Sequence, residues 1–373
     1  MYWRKLERWW QETQGRQQVE DDPRRTDALL IYNPAAGPRG ELRRDLERVV
    51  GYLGERGWNV TIRPTRKPGD ATELAQAAVA ARCKAVLVAG GDGTIHEVVN
   101  GLVGSDTAMG VLPVGTGNVW AKEIRLPTLT LAQRDRLLSA ARMLLDGEVR
   151  WMDVGRAGKR YFLIYASVGI DSSVAAKLEP RTRASKQLGV LAYLAAGVRV
   201  ARNFGGVPST IVIDGRTIRA KIIFVVVSNI QLYGGLVKMT PEARLDDGLL
   251  DIRVFKGMGP AWVFRHVAGV FTNRHLRDPM VSHYQGRRVT VYTTEPFPIQ
   301  LDGEPVETTP LSVEVVPKAL RVLVPKAMPD ELFCEGGYSV LVSRPPRSRF
   351  QRLYDTGLRL RDLAQIAMRS KAQ

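Results

Sequence analysis

Hydrophobic and polar residues follow one another along the first third of the chain in a pattern that predicts strands alternating with helices. Short apolar runs of strand length are each followed by a stretch with apolar residues at helical spacing. Such an alternation predicts a parallel sheet that is covered by helices on both faces. The predicted strands are 28–32, 58–62, 85–89 and 109–113, and the predicted helices are 42–53, 71–81 and one ending at Leu102.

The pattern changes after a helical stretch at residues 131–145. Short β-rich runs separated by turn residues then predict an antiparallel second domain, a β-sandwich. The expected fold class is therefore an α/β N-terminal domain with a parallel sheet, plus a mainly antiparallel β-sandwich second domain. The β-rich runs are 211–215, 222–228, 250–255, 289–292 and 313–316, and an apolar, helical insertion is predicted at 188–200.

Both ends of the chain carry basic, amphipathic segments. Near the N-terminus, Trp3, Leu6 and Trp10 recur at helical spacing among basic residues. Aromatic rings and cations in this arrangement suit a helix that lies in a membrane interface, and a helix that packs its tryptophan face on the protein itself explains the spacing equally well. The tail at 344–373 is also basic, which agrees with a solvated tail or with a membrane-surface helix.

Composition and charge narrow the function classes. The 373 residues, 45% hydrophobic and 25% charged, are enough for two domains with ordinary cores. The net charge of +16 indicates a polyanionic partner, which can be nucleic acid, a nucleotide or an anionic membrane. No nucleic-acid recognition motif accompanies this charge. Two cysteines give no disulfide framework, and no apolar run approaches the roughly 20 residues of a membrane span. We therefore expect a cytoplasmic protein with peripheral membrane contact.

The most informative chemical signal is a glycine-rich turn at the end of the third predicted strand. Residues 90–94 read Gly-Gly-Asp-Gly-Thr and lead into a helix. Because glycine has no Cβ, backbone N–H groups in such a turn can approach a polyphosphate, and the start of the helix adds a positive dipole. Asp92 is expected to handle a metal ion, a ribose hydroxyl or a proton, since a carboxylate and a phosphate repel each other.

Other polar loops are predicted at the same edge of the sheet. In parallel sheets, ligands bind beyond the carboxyl ends of the strands, and three further loops occupy that position. Two Asp-Gly pairs in the second domain, Asp247-Gly248 and Asp302-Gly303, are by themselves ordinary hairpin signals. The three loops are the Asn-Pro-Ala-Ala-Gly element at 33–37, the loop with Thr65, and the Gly-Thr-Gly-Asn element at 115–118.

Together these motifs resemble the diacylglycerol kinase catalytic family, which includes bacterial lipid kinases and the sphingosine kinases. The resemblance covers residues 27–343, and one element departs from it: family members commonly carry Asp after Gly-Thr-Gly-Asn, where this chain has Val119. The segments that carry the resemblance are 33–37, 90–94 with the His-Glu-Val-Val-Asn-Gly sequence at 96–101, 115–118, 245–251 and 301–305.

The resemblance implies an ATP-dependent kinase that uses Mg²⁺ to phosphorylate the hydroxyl of a lipid such as diacylglycerol or a sphingoid base. It implies Glu304 as the base that accepts the hydroxyl proton and Asp92 as the catalytic residue that organises the metal-bound phosphates. A structural magnesium site is implied at Asp247 and the backbone carbonyls of Arg244 and Leu249. The residues implied to bind ATP are Asn33, Pro34, Ala35, Ala36, Gly37, Thr65, Gly91, Asp92, Gly93, Thr94, Ile95, His96, Glu97, Thr116 and Lys186.

The expected partners are a membrane lipid substrate and an anionic membrane surface, but not nucleic acid, and a homodimer stays open. Two other functions compete: a NAD kinase-like enzyme for a soluble substrate, because the glycine-rich turn alone also resembles NAD kinases, and a non-catalytic nucleotide- or lipid-binding protein. The expected division of the chain is an amphipathic segment at 1–26, a nucleotide-binding domain at 27–148, a lipid-substrate domain at 149–323, a return segment at 324–343 and a basic tail at 344–373.

Overall fold

The first part of the computed structural model alternates strands and helices, as the apolar pattern predicts. The structure describes residues 26–36, 42–115, 117–128, 135–170 and 204–339. The first four strands pair in parallel in the order β4-β3-β1-β2. The elements are β1 (Thr26–Tyr32), α1 (Leu42–Gly54), β2 (Trp58–Pro64), α2 (Asp70–Ala80), β3 (Ala85–Gly90), α3 (Asp92–Leu102), β4 (Ala108–Pro113), α4 (Val119–Glu123) and α5 (Arg136–Leu145).

Burial explains why these residues form a covered parallel sheet. Every position of β3 and β4 is buried, as expected for central strands with helices on both faces. Helix α1 buries Leu46, Val49 and Leu53, which follow one another at helical spacing on one face. Helix α3 is buried over most of its surface, including the polar residues Thr94 and His96. The turn between β3 and α3 therefore has a fixed position on the sheet.

The second part is mainly antiparallel, which confirms the predicted fold class. Its strands pair with antiparallel neighbours throughout, except where β17 meets the first sheet. The elements are β5 (Glu148–Ala157), β6 (Arg160–Phe162), β7 (Tyr165–Gly169), β8 (Val207–Ile213), β9 (Arg216–Ser228), β10 (Leu232–Tyr233), β11 (Val237–Lys238), β12 (Leu250–Lys256), α6 (Pro260–Phe271), a 3₁₀ turn (Arg274–Arg277), β13 (Val281–Gly286), β14 (Arg288–Thr293), β15 (Pro298–Leu301), β16 (Glu304–Thr308), β17 (Leu311–Val324), a 3₁₀ turn (Asp330–Leu332) and β18 (Tyr338–Ser339).

Strand β9 shows how the antiparallel strands enclose a core. Its first half pairs with β8, and its second half pairs with β7 on one side and β12 on the other. The first half is largely exposed, whereas the last seven residues are all buried. A strand segment that is buried on both faces lies between two layers of structure.

Strand β17 joins the two parts of the molecule. Its first half pairs with β14, it pairs with β5 over most of its length, and near its end Arg321 and Val322 pair in parallel with β4. The described strands other than β10 and β11 therefore form one continuous sheet of 16 strands. The sequence run at 313–316 covers only the beginning of β17, because the register shifts after Val316 and Lys318 adopts a positive φ of 47°. This irregularity hides the continuation of the strand from a pattern of alternating residues.

One predicted run is only partly a strand. Strand β8 ends at Ile213, and Asp214-Gly215 form the turn into β9. The predicted helical insertion at 188–200 and both terminal segments lie outside the described residues. Within the described ranges, no helix combines the length and the apolar character that crossing a membrane requires.

Candidate active site

The glycine-rich turn lies where β3 ends and α3 begins. Gly91 precedes the helix in an extended conformation, and Asp92 is the first helical residue. The N–H groups in the first turn of a helix lack acceptors within the helix, and the helix dipole makes this end partly positive. A methyl group placed on Gly91 would meet no atom within 4 Å. The space beside the turn is therefore open to an anionic ligand.

The loop after β4 packs directly against this turn. A methyl group on Gly115 would lie 2.9 Å from Gly91 Cα, and one on Gly117 would lie 2.5 Å from Asp92 Oδ2. The Val119 N–H donates a hydrogen bond of 2.8 Å to Asp92 Oδ1. Val119 thus contacts Asp92 through its backbone. A side chain at position 115 would collide with the backbone of Gly91, whereas one at position 117 would displace the Asp92 carboxylate.

Asn118 completes the contact between the two loops. Its Nδ2 donates to the carbonyl oxygen of Gly90 at 2.9 Å, and its side chain is fully buried. Its Oδ1 has no hydrogen-bond partner among the described residues. Buried polar atoms are nearly always hydrogen-bonded. This oxygen is therefore an exception among the polar atoms of the two loops.

The loops after β1 and β2 reach the same edge of the sheet. Asn33 follows β1, and its Nδ2 lies 3.4 Å from Thr94 Oγ1 while its Oδ1 accepts the Ala35 N–H at 2.8 Å. The Thr65 N–H donates to the Tyr32 carbonyl oxygen at 2.8 Å. The structure thus gathers predicted nucleotide-binding loops from four neighbouring strands around the N-terminus of α3.

The second part of the molecule brings a carboxylate to this turn. Glu304 is the first residue of β16, directly after the Asp302-Gly303 turn that joins β15 to β16. A methyl group on Gly93 would lie 2.6 Å from Glu304 Oε1, so the carboxylate lies against the first turn of α3. The Glu304 side chain is exposed. A substrate can therefore reach it from solvent.

Asp302 holds the hairpin that carries Glu304. Its buried carboxylate accepts backbone N–H groups from residues 163–165 at 2.8, 2.8 and 3.0 Å. Its Oδ2 also lies 2.9 Å from His96 Nδ1 on α3. Burial lowers the pKa of His96, but the Asp302 carboxylate, with a further contribution from Glu304, raises this pKa above its ordinary value overall. The two parts of the molecule are thus joined by a His–Asp pair beside Glu304.

Asp92 lies in the same electrostatic environment. Removal from water raises its pKa, hydrogen bonds from the backbone of Val119 and Asn118 oppose this change, and the nearby Asp302 carboxylate raises the pKa further. A buried carboxylate with a second carboxylate nearby favours a cation beside it, and oxygen ligands of this kind suit Mg²⁺.

The predicted structural magnesium site lies in an acidic cluster. Oδ1 of Asp247 accepts the Leu249 N–H at 2.9 Å. Burial raises the pKa of Asp247, and the neighbouring carboxylates Asp251 and Asp246 raise it further. Burial, together with Asp247 and Asp246, raises the pKa of Asp153 to about 7. The Arg244 guanidinium donates a hydrogen bond of 3.2 Å to the Glu331 carbonyl oxygen. The group of Arg244 that the prediction assigns to the metal is its backbone carbonyl.

Three of the residues implied to bind ATP have structural contacts instead of an open side chain, and one of them is His96, which is buried and paired with Asp302. Ile95 is 1% exposed and packs in the core. Oε2 of Glu97 accepts the Ala71 N–H at 3.1 Å in the first turn of α2. Pro34 and Ala35 are exposed and Ala36 is half-buried. Gly37, Thr116 and Lys186 lie outside the described residues, and the nucleotide-binding roles of the whole set remain predictions.

Two polar residues that join the parts of the molecule were given no role by the sequence analysis, although Asn100 lies within the motif at 96–101. Asn100 on α3 exchanges two hydrogen bonds of 2.9 Å with the backbone of Tyr161 in β6. Glu123 on α4 accepts the N–H groups of Gln231 and Leu232 at 2.7 and 2.9 Å, and burial raises its pKa to about 7. A polar residue on an otherwise apolar helical face is a signal that could have found both.

These contacts define a two-part protein in which a glycine-rich turn of an α/β sheet faces a carboxylate from an antiparallel β domain. Residues 27–157 match the family described as diacylglycerol kinase catalytic domain. Residues 165–324 match the family described as YegS C-terminal NAD kinase beta sandwich-like domain. The chain therefore contains a diacylglycerol kinase catalytic domain followed by this β-sandwich-like domain.

Two relatives that are named diacylglycerol kinase align with this chain over nearly their whole length. The diacylglycerol kinase of Bacillus subtilis (strain 168) is 29% identical over 307 residues, which are 82% of this chain and 98% of that protein. The diacylglycerol kinase of Staphylococcus carnosus (strain TM300) is 27% identical, and the alignment covers 81% of this chain and 96% of that protein. A crystal structure from Bacillus anthracis strain Sterne, described as a candidate diacylglycerol kinase, gives a TM-score of 0.66 at 26% identity and covers 81% of this chain and 98% of that one. These findings support the kinase class for this chain.

Proposed function

We propose that this protein transfers the γ-phosphoryl group of ATP to the hydroxyl of a membrane lipid. The observation that supports this most directly is the position of Glu304 Oε1 against Gly93 at the start of α3. It brings a proton-accepting carboxylate to the turn that suits a polyphosphate. The names of the relatives, diacylglycerol kinases, support a lipid acceptor.

The chemistry follows from these two groups. As the hydroxyl oxygen attacks, its bond to the γ-phosphorus forms, the bond from that phosphorus to the bridging oxygen of ADP breaks, and the hydroxyl proton passes to Glu304. A carboxylate within reach of the hydroxyl assists because an alcohol is a poor nucleophile. The N–H groups at the start of α3 lower the energy of charge on the phosphoryl oxygens.

The acidic residues fit a divalent cation. Burial is the main cause of the raised pKa values of Asp153 and Asp247, and the neighbouring carboxylates raise both pKa values further, so a cation would be favourable in this cluster. Asp247 and the carbonyls of Arg244 and Leu249 would hold a structural Mg²⁺, and Asp92 would organise the Mg²⁺ that accompanies ATP. When bound, Mg²⁺ supplies neutralisation of phosphate charge.

A second candidate acceptor is NAD, because residues 165–324 match a domain described as NAD kinase beta sandwich-like. The two acceptors are compared in one assay that contains Mg²⁺, labelled ATP and detergent micelles with diacylglycerol, a sphingoid base or NAD. We expect label in a lipid. Label in NAD alone, or in no acceptor with folded protein that binds ATP, contradicts the proposal.

The polyphosphate site is tested by Gly91→Ala. Gly91 has an ordinary φ of −91° and no atom within 4 Å of an added methyl group, so the fold is expected to tolerate alanine. The methyl group enters the space assigned to phosphate, and we expect the affinity for ADP to fall about tenfold by calorimetry. Gly51→Ala on α1, which also has no neighbour within 4 Å, is the matched control. Equal ADP affinities of the two variants would contradict the assignment.

A further inference from the structure

Helix α6 exposes a continuous apolar face to solvent. Phe264, Val267 and Phe271 are 48%, 42% and 54% exposed. They are spaced by three and four residues and thus lie on one side of the helix. Met258 before the helix and Leu276 after it are 59% and 38% exposed and add apolar surface at both ends. We call these five residues the α6 face.

The side of α6 next to this face is packed on the β domain. Val263 and His266 are buried. The His266 ring lies 5.3 Å from the Phe255 ring and 5.9 Å from the Trp262 ring, and its Nε2 lies 2.8 Å from the Lys256 carbonyl oxygen. A helix that is apolar over so much of its circumference is normally covered over all of its apolar surface. The exposed apolar side of this fixed helix therefore suits a partner.

Basic residues lie near both ends of the α6 face, and Arg265 on the helix itself pairs with Asp278 at 2.8 Å. No acidic residue occurs between Lys256 and Arg277. Arg274 and Arg277 are exposed, and neither forms an ion pair with a carboxylate in the described part of the chain. Lys221 Nζ lies 4.0 Å from Met258 Sδ. An apolar face with a basic rim is complementary to an anionic bilayer, where apolar side chains enter the acyl boundary and cations meet the headgroups.

We propose that the α6 face docks the protein on an anionic lipid bilayer. This inference rests on the proposed function, because a kinase for a membrane lipid has to meet its acceptor at the bilayer. The net charge of +16 favours a bilayer over a second copy of this chain, since two equally basic proteins repel each other. A second copy and the chain's own segment 171–203, which joins the described fold at Ile170 and Phe204, are the other occupants that the test distinguishes.

The test measures co-sedimentation with vesicles in the absence of nucleotide. The vesicles contain phosphatidylcholine alone or equal parts of phosphatidylcholine and phosphatidylglycerol. We expect the double variant Phe264→Ser/Phe271→Ser to lower the partition coefficient on anionic vesicles by about tenfold or more. Tyr292→Ser on β14, where the tyrosine is 49% exposed, is the matched control and keeps wild-type partitioning.

The basic rim is tested in the same assay. We expect Arg277→Gln to weaken binding to anionic vesicles by about fivefold and to leave binding to neutral vesicles unchanged. Arg44→Gln, an exposed arginine on α1, is the control and has no effect of this size.

Each outcome decides between occupants. Loss of vesicle binding with normal phosphorylation of lipid in detergent micelles supports the inference. Unchanged vesicle binding of the double variant overturns it, whatever the kinase assay gives. A change from dimer to monomer in sedimentation without loss of vesicle binding assigns the face to a second copy, and a lower melting temperature alone assigns it to segment 171–203; both overturn it. Normal vesicle binding by wild-type protein that phosphorylates no lipid counts against the proposed function alone.

Discussion

Two hairpin turns of the β domain share the sequence Asp-Gly and the same backbone. Asp214-Gly215 joins β8 to β9 with φ angles of 46° and 88°, and Asp302-Gly303 joins β15 to β16 with φ angles of 50° and 87°. Positive φ at both central positions defines the two-residue turn that Asp-Gly favours. The residues that pair across the turns are Ile213 with Arg216 and Leu301 with Glu304.

The surroundings of the two aspartates differ completely. Asp214 is exposed, and its carboxylate accepts the N–H groups of Arg287 and Arg288, each at 2.9 Å, in the neighbouring strand region. Asp302 is 6% exposed, and its carboxylate joins the backbone of residues 163–165 to His96 on α3. The first turn ties adjacent strands together, whereas the second couples the two parts of the molecule. A local motif thus fixes a backbone, and its tertiary contacts decide what that backbone does.

The largest expected effect is a difference in kcat between variants of the residues that follow the two turns, Glu304 and Arg216. Glu304→Gln keeps the size of the side chain but removes the proton acceptor, so we expect kcat for lipid phosphorylation to fall at least about 100-fold. ADP affinity by calorimetry stays near the wild-type value, since the N–H groups at the start of α3 are unchanged. Arg216→Gln, at the equivalent position after Asp214-Gly215, leaves kcat unchanged. A Glu304→Gln protein with full turnover would remove Glu304 from the proposed mechanism.

The second largest expected effect is a difference in stability between variants of the two aspartates. Asp302→Asn loses a buried carboxylate that accepts several hydrogen bonds, so we expect the free energy of unfolding in urea to fall by about 2–4 kcal/mol. Asp214→Asn is expected to have a much smaller effect because solvent can replace its contacts. Equal losses in the two variants would show that Asp302 serves only its own turn.

The smallest expected effect is a difference in pH dependence. Asp302 raises the pKa of His96 in the folded state above the ordinary 6.5. A raised folded-state pKa stabilises the protonated fold, so this contribution is complete below about pH 6.5 and is lost as the pH rises through the higher folded-state pKa. We expect the free energy of unfolding to decline across this range in wild type and Asp214→Asn, and to decline less in Asp302→Asn.

Two buried carboxyl groups also change their protonation in this pH range. Comparing the two variants cancels their contributions to the free energy of unfolding. Burial raises the pKa of both Glu123 and Asp153 to about 7. Their contributions also decline as the pH rises through those values, equally in all three proteins. Urea unfolding at pH 5.5 to 8.5 measures the difference between Asp302→Asn and Asp214→Asn. Parallel curves for these two variants would show that His96 gains no proton affinity from Asp302.

Much of the fold could be predicted because its signals are local. The strand and helix periods of the first part predicted every strand and helix from β1 to β4 within about two residues at most boundaries. The change in burial along β9 and the register shift within β17 could not be predicted in the same way. In both strands a partly exposed first half gives way to a continuously buried run, so the period of two is lost.

The sequence by itself determined the alternation of strands and helices, the glycine-rich turn and the backbones of the Asp-Gly turns, because each depends on residues within a few positions. Only the tertiary structure decided which carboxylate meets that turn. His96 and Asp302 are 206 positions apart, and their contact depends on how the β domain packs against α3. The same holds for α6, whose sequence is apolar over much of its circumference and does not tell which side the β domain covers. These contacts depend on packing between segments that are distant in the sequence, and the local pattern of apolar and polar residues does not predict them.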